Sequence, residues 1–179
     1  TIKMNSDNFR AFRSENYPLL GEAGINIRYN SSAIIRPREW DKTPTFYKEL
    51  DTRVSILKLH PGITPQVVEH ILCGKESRAV ILETYGAGNA PSKKWFLDQI
   101  HKAAEMGKIL VNVTQCKAGS VNMDIYATGK CLKDEGVCSG YDGTTEGVLG
   151  KLFHLMGNSD NNDVVKSMLE DNLRGEISK

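Results

Sequence analysis

The residues best placed to do chemistry gather just after short apolar runs. Tyr85-Gly86-Ala87-Gly88-Asn89-Ala90-Pro91 follows one such run and precedes a helical pattern, the setting in which a phosphate-binding loop sits. Pro91 occupies the third-glycine position of GxGxxG, and that glycine permits close helix and strand packing, so dinucleotide binding is disfavoured. What the two glycines can do is bring backbone close to a small ligand or another subunit, with the Asn89 amide offering both a donor and an acceptor. A tight turn carrying a surface asparagine fits the local sequence equally well, and both readings stay open at this point.

Nucleophilic catalysis needs a Ser, Cys or Thr with a base in reach. His60, His70, His101 and His154 sit in no nucleophile motif, and solvated or packed histidine is the reading adopted for each, so no hydrolase triad can be assembled. An N-terminal threonine can serve as both nucleophile and base, but Thr1 is read as a cut in a longer chain. Thr114, Gln115 and Cys116 end an apolar run, and Cys116, with no histidine placed to activate it, is expected to be a buried structural thiol. With Cys73, Cys131 and Cys138 it forms no CxxC and no zinc spacing, so reduced, mostly buried thiols are expected, with no metal and no cofactor.

Those residues must be positioned by a scaffold, and from about Val54 the chain alternates β-branched runs with amphipathic stretches, the signature of βαβ units and a parallel sheet. Strands are predicted at Val54–Leu59, Ala79–Leu82, Ile109–Val113 and, briefly, at Val137-Cys138. Thr64 is the expected cap of a helix beginning at Pro65. A second helix begins at Ser92 and ends at Gly107, Tyr126–Lys130 is a turn into a helical stretch ending at Gly136, and further helices cover Thr144–Met156 and Asp163–Leu169. Together these make a three-layer α/β/α, Rossmann-like fold on a small four-stranded parallel sheet, whose strand-following loops share one rim, where α/β proteins bind ligands. Residues 1–52 lack that rhythm. Ile25–Tyr29 is predicted as a lone strand without a partner in this chain, which implies a sheet completed from elsewhere.

Bulk properties narrow the classes. The 179 residues carry 23 basic and 22 acidic side chains and a formal net charge of +1. No basic run is present, so nucleic acid and membrane are not expected as partners. No apolar stretch approaches the roughly 20 residues needed to cross a bilayer, and a cytoplasmic protein is expected.

Five ordered segments resemble one family: Tyr85–Pro91 (YGAGNAP), Val111–Cys116 (VNVTQC), Gly119–Met123 (GSVNM), Tyr126–Gly129 (YATG) and Asn172–Glu176 (NLRGE). The chain is similar there to the C-terminal domain of bacterial type I L-asparaginases. Lys3–Ile27, with Phe9-Arg10-Ala11-Phe12, Asn16-Tyr17-Pro18 and Glu22-Ala23-Gly24-Ile25, resembles the end of that family's larger N-terminal domain. The resemblance implies residues 1–30 as the tail of an N-terminal catalytic domain, a remnant of a larger α/β domain, then 31–52 as linker and 53–179 as the C-terminal α/β/α domain.

It further implies hydrolysis of L-asparagine to L-aspartate and ammonia through an acyl-enzyme on threonine, with a second Thr-Asp-Lys relay. Both threonines and the aspartate are expected upstream; of the relay only the lysine is matched, by Lys3. Asn89 matches the asparagine lent to a neighbouring subunit's substrate network, so self-association as a dimer or tetramer is expected. Some family members bind asparagine allosterically through a threonine beside the relay lysine and an arginine before the YGxGNAP loop; here Ile2 and Glu83 stand there, and activation by asparagine is not expected. Two other readings remain: the asparaginase-like subunit of a tRNA-dependent amidotransferase, and a non-catalytic ligand-binding module.

Overall fold

The computed structural model describes residues 2–3, 11–36, 43 and 45–178; Thr1, Phe9 and Arg10 lie outside the described residues, as does the side chain of Lys3. The chain divides into two units, Thr1–Tyr47 and Lys48–Lys179.

The first unit holds two small antiparallel pairs. β1 (Ile2–Lys3) pairs with β2 (Phe12–Arg13), placing Lys3 opposite Phe12. β3 (Gly21–Ala23) pairs with β4 (Ile27–Tyr29), Gly21 opposite Tyr29. This second hairpin overturns the expected lone strand at Ile25–Tyr29. The Gly24 N–H donates to the Asn26 carbonyl at 3.2 Å, closing a turn that folds the strand back onto Gly21–Ala23. Gly-Glu-Ala has little β-propensity, so the partner strand leaves no pattern in the sequence; its pairing is imposed by the turn.

The second unit is built on four parallel strands in the order β5 (Val54–Lys58), β6 (Ala79–Thr84), β7 (Ile109–Thr114) and β8 (Cys138–Ser139). Its helices are α1 (Pro65–Cys73), α2 (Lys94–Glu105), α3 (Ala127–Asp134), α4 (Thr145–Asn158) and α5 (Asn162–Leu169). Thr64 caps α1 as expected, accepting from the Val67 N–H with Pro65 in the first turn. Ala127–Asp134 is a helix whose N-cap is Tyr126, in the stretch expected to turn into a helix ending at Gly136. α2 begins at Lys94 rather than Ser92, and the last strand occupies Cys138–Ser139 rather than Val137-Cys138.

Strand alternation explains the layers. Val80 and Leu82 of β6 and Leu110 of β7 point into one core with Val68 and Leu72 of α1, Phe96, Ile100 and Ala103 of α2 and Leu132 of α3. Ala79, Ile81, Ile109, Val111 and Val113 face the other way, against Val148, Leu152, Leu155 and Met156 of α4 and Val165 and Leu169 of α5. A sheet covered on both faces buries its inner strands almost completely, which is why β6 and β7 read as continuous apolar runs. Each fully buried Leu, Ile or Phe contributes about 1.5–3 kcal/mol.

Two cations organise the α4–α5 side. Arg78 donates from Nε to Asn162 Oδ1 (2.9 Å) and from its terminal nitrogens to the Met156 (3.0 Å) and Ser159 (2.8 Å) carbonyls, satisfying groups that the end of α4 leaves free. Lys151, buried on α4, donates to the Leu169 carbonyl (2.7 Å), to the Asp171 carbonyl and to Glu176 Oε1 (2.7 Å), tying the last segment of the chain to the helix. Desolvation pushes the Glu176 carboxyl up, but Lys151 and the Leu173 and Arg174 N–H groups outweigh it and hold the pKa at about 2.

Because the folded pKa lies below the unfolded value near 4.5, Glu176 stabilises the fold above that value and loses the contribution as pH falls toward 2. The contribution is about 2 kcal/mol once partial solvent screening is allowed for. Glu176→Gln is expected to lower the denaturation midpoint at pH 7 and to flatten its decline between pH 5 and 2, measured by chemical denaturation across that range.

Candidate functional site

The carboxyl ends of β6 and β7 carry the polar residues that the sheet cannot bury without partners. The loop after β6 closes on itself: Tyr85 N–H donates to the Asn89 carbonyl (2.9 Å) and Asn89 N–H to the Tyr85 carbonyl (2.8 Å). Gly86 and Gly88 both have positive φ, +51° and +99°. At Gly88 a Cβ would also lie 2.8 Å from Val121 Cγ1 and 3.0 Å from Asn112 Nδ2, so conformation and space both require glycine.

Three successive carbonyls of this loop are held by the segment that follows it in the sheet. Thr114 Oγ1 donates to the Gly86 carbonyl at 2.6 Å. The Asn122 N–H donates to that of Ala87 at 2.9 Å. Asn112 Nδ2 donates to that of Gly88 at 3.0 Å. Asn112 lies within β7 and is 0% exposed; its Oδ1 accepts from Thr84 Oγ1 at 2.6 Å, so the amide is engaged at both ends. Gln115 fastens the neighbouring backbone, donating from Nε2 to the Leu59 (2.7 Å) and Glu83 (2.8 Å) carbonyls.

The Asn89 side chain sits where this anchored loop meets α3. Its Oδ1 accepts from the Ala90 N–H at 3.1 Å and from the Thr128 hydroxyl. The first turn of α3 lies tight against the preceding segment: a Cβ at Gly129 would sit 2.6 Å from the Met123 carbonyl oxygen and 2.9 Å from its Cα. The glycine of Tyr126–Gly129 is thus what lets Thr128 reach Asn89. The bland alternative for Tyr85–Pro91, a surface turn with a solvated asparagine, does not describe this geometry.

Other rim groups are already paired. Glu83 accepts from Thr145 Oγ1 (2.7 Å) and lies 3.4 Å from Lys58 Nζ. Cys116 is exposed rather than buried, because it follows the strand instead of belonging to it, and only its backbone N–H is anchored, to Thr114 Oγ1 at 3.0 Å. Of the other cysteines Cys138 alone is buried, and burial pushes its thiol up to about 12; Cys73 and Cys131 are half-buried. His101 bridges Glu135 (2.7 Å) and Glu105 (3.3 Å), and its pKa is raised by the Glu135 hydrogen bond. His60 meets the Pro61 carbonyl and His154 lies beside Asn158. No His, Cys, Asp and Glu cluster among the described residues could hold a metal. No helix among them is long and apolar enough to cross a membrane.

Of the two residues expected to act, Asn89 lies in the second unit on the loop just described, and Lys3 lies in the first, in strand β1. Asn112 and Thr128 had no role assigned from the residue pattern. The signal for Asn112 was available: an amide in Val111-Asn112-Val113, within a run that otherwise buries only apolar side chains.

A four-stranded parallel sheet covered by helices on both faces, with its polar loops at the carboxyl rim, places the second unit in the class of three-layer α/β/α domains. The glutaminase/asparaginase C-terminal domain family matches residues 53–169, and the chain belongs to that family. It is 37% identical over 179 residues to L-asparaginase 1 of Escherichia coli (strain K12), covering 99% of this chain and 52% of that protein. It is 34% identical over 180 residues to the 60 kDa lysophospholipase of Mus musculus, covering 99% of this chain and 31% of that protein. The fold matches the crystal structure of L-asparaginase I from Vibrio cholerae with a TM-score of 0.90 at 39% identity, over 99% of this chain and 53% of that one. The chain thus spans about half the length of these two asparaginases.

Asn112→Ala would leave the Gly88 carbonyl without its donor and open a small cavity inside the sheet. The expected cost is about 2–3 kcal/mol of stability. Thr114→Val, at the half-exposed end of the strand, is expected to cost about 1 kcal/mol or less. Denaturant midpoints of the two variants check the order.

Proposed function

We propose that the protein carrying this chain hydrolyses the side-chain amide of L-asparagine to L-aspartate and ammonia, with the 53–179 domain completing a neighbouring subunit's active site. The observation that carries the proposal is the Asn89 amide, held on a loop whose carbonyls are fixed one by one, in a chain of the asparaginase family. A substrate network lent across an interface needs a rigid donor, because looseness of an ångström forfeits much of the benefit of orientation.

In the proposed reaction a threonine hydroxyl outside this chain attacks the amide carbon. Ammonia leaves after taking up a proton, and water then cleaves the threonine ester to release aspartate. Lys3 is the proposed lysine of the proton relay. A lysine serves a relay near neutral pH only when neighbours depress its pKa or hold it against a hydroxyl, so Lys3 has this role only beside its threonine and aspartate partners. The 1–30 segment is then the tail of the catalytic domain, 31–52 a linker, and the protein a cytoplasmic self-associating enzyme.

Glu83 supports a further detail. An arginine at this position would pair with a substrate carboxylate, whereas Glu83 is an acid already held between Lys58 and Thr145. Activation by asparagine through such an arginine is therefore absent.

Two outcomes follow. Residues 1–179 alone, incubated with L-asparagine, are expected to release no ammonia above background in a coupled assay; steady turnover would place the nucleophile inside this chain. In the protein that also carries the nucleophile segment, rate against asparagine concentration is expected to be hyperbolic, and a sigmoidal curve lost on mutating residues around Glu83 would contradict the assignment.

A further inference from the structure

The Asn89 amide has two faces, and only one can serve a ligand in any orientation. Exchanging its oxygen and nitrogen leaves the side chain almost the same shape, so the orientation must come from its neighbours. The Ala90 N–H settles it. A backbone N–H can only donate, and it meets the Asn89 side chain at 3.1 Å, so the atom it meets is the oxygen. Ala90 is 7% exposed, and a backbone N–H in such a setting needs an acceptor from the protein.

The Thr128 hydroxyl donates to the same oxygen from the opposite element, the first turn of α3. Oδ1 is then supplied with two donors, which uses its two lone pairs. Asn89 Nδ2 has no hydrogen-bond partner among the described residues, and the residue is only half-buried.

We infer that Thr128 is a positioning residue that locks the Asn89 amide with its oxygen inward, so that this rim offers incoming ligands an N–H donor and selects an acceptor, a carboxylate or amide oxygen. The consequence for substrate recognition rests on the asparaginase reading; the orientation of the amide does not. The lock is a three-part device. Gly88 and Asn112 hold the loop, Gly129 lets α3 approach Met123, and Thr128 closes the gap between them. Loss of the hydroxyl would leave the loop in place and free the amide to rotate, which separates positioning from folding.

The test has two arms. In the first, NMR follows the Asn89 side-chain amide in residues 1–179 without ligand. The Thr128 hydroxyl proton is expected to be protected from exchange and to show a nuclear Overhauser contact with the Asn89 side chain. Thr128→Val, which keeps the shape and loses the donor, is expected to shift the Asn89 Nδ2 protons, while Thr128→Ser restores them and the β6 and β7 backbone amides stay in place. An unprotected hydroxyl in the wild-type chain, or an unmoved Asn89 amide in a folded Thr128→Val variant, would overturn the lock.

In the second arm, the amide-hydrolysing protein is compared with its Asn89→Asp and Thr128→Val variants. Asn89→Asp keeps an acceptor for Ala90 and Thr128 but replaces the outward donor, and kcat/KM for asparagine is expected to fall about a hundredfold, mostly through KM. Thr128→Val is expected to lower it about tenfold, with Thr128→Ser close to wild type. A wild-type KM for Asn89→Asp would overturn the donor assignment. Should the wild-type protein release no ammonia from asparagine, the asparaginase reading falls, while the first arm still decides the orientation of the amide.

Discussion

Asn112 lies in an inner strand of a sheet covered on both faces, and none of its surface meets water. Stripping an amide of water without replacing its hydrogen bonds costs several kcal/mol, so a side chain like this survives only where partners are built around it. The partners here are the Thr84 hydroxyl on the adjacent strand and the Gly88 carbonyl on the loop beyond. The same requirement that makes the amide expensive to bury therefore pins the loop. Thr114 and the Asn122 N–H extend the pinning to two more carbonyls, and the loop is left with little freedom to relax. Every feature of the rim, from the positive-φ glycines to the seat of α3, is arranged around that loop.

The periodic parts of the chain were legible because burial on both faces leaves a strong imprint. Val80-Ile81-Leu82 and Ile109-Leu110-Val111 could be placed as inner strands from their apolar runs alone, and Thr64-Pro65 announced a helix start through the chemistry of its cap. Pairing without burial was not legible. The β3–β4 hairpin exposes its residues on both faces, so no alternation marks it, and the partner of Ile27–Tyr29 could be found only through the Gly24 to Asn26 turn.

The site was half legible. The glycine spacing pointed to the loop and Asn89 to its chemistry, but the residue pattern leaves an amide's polarity open, since that depends on Ala90 and Thr128 meeting it in space. Cys116 shows the opposite error. A cysteine after an apolar strand suggests burial, yet one residue past Gln115 the backbone has left the sheet and the thiol faces solvent. Proximity in sequence to a buried strand is a poor guide once the strand has ended.

Charge in this chain works mainly as internal fastening. Lys108, buried at the start of β7, donates to the Gly74 and Ser77 carbonyls, and burial lowers its pKa. Lys151 gathers the end of the chain onto α4, and Arg78 collects carbonyls at the other end of that helix. Perturbed titratable groups often mark active sites, but ion-pair and carbonyl-binding networks produce the same shifts. At Lys108 and Glu176 each partner is a structural group of the fold, which accounts for the shift without any reacting atom. The rim differs in kind. The polar side chains around Asn89, those of Asn112, Thr84, Thr114 and Thr128, are uncharged and are held by one another and by loop carbonyls. A neutral donor fixed before a ligand arrives adds little desolvation penalty and loses little conformational entropy on binding, which is what the role proposed for Asn89 requires.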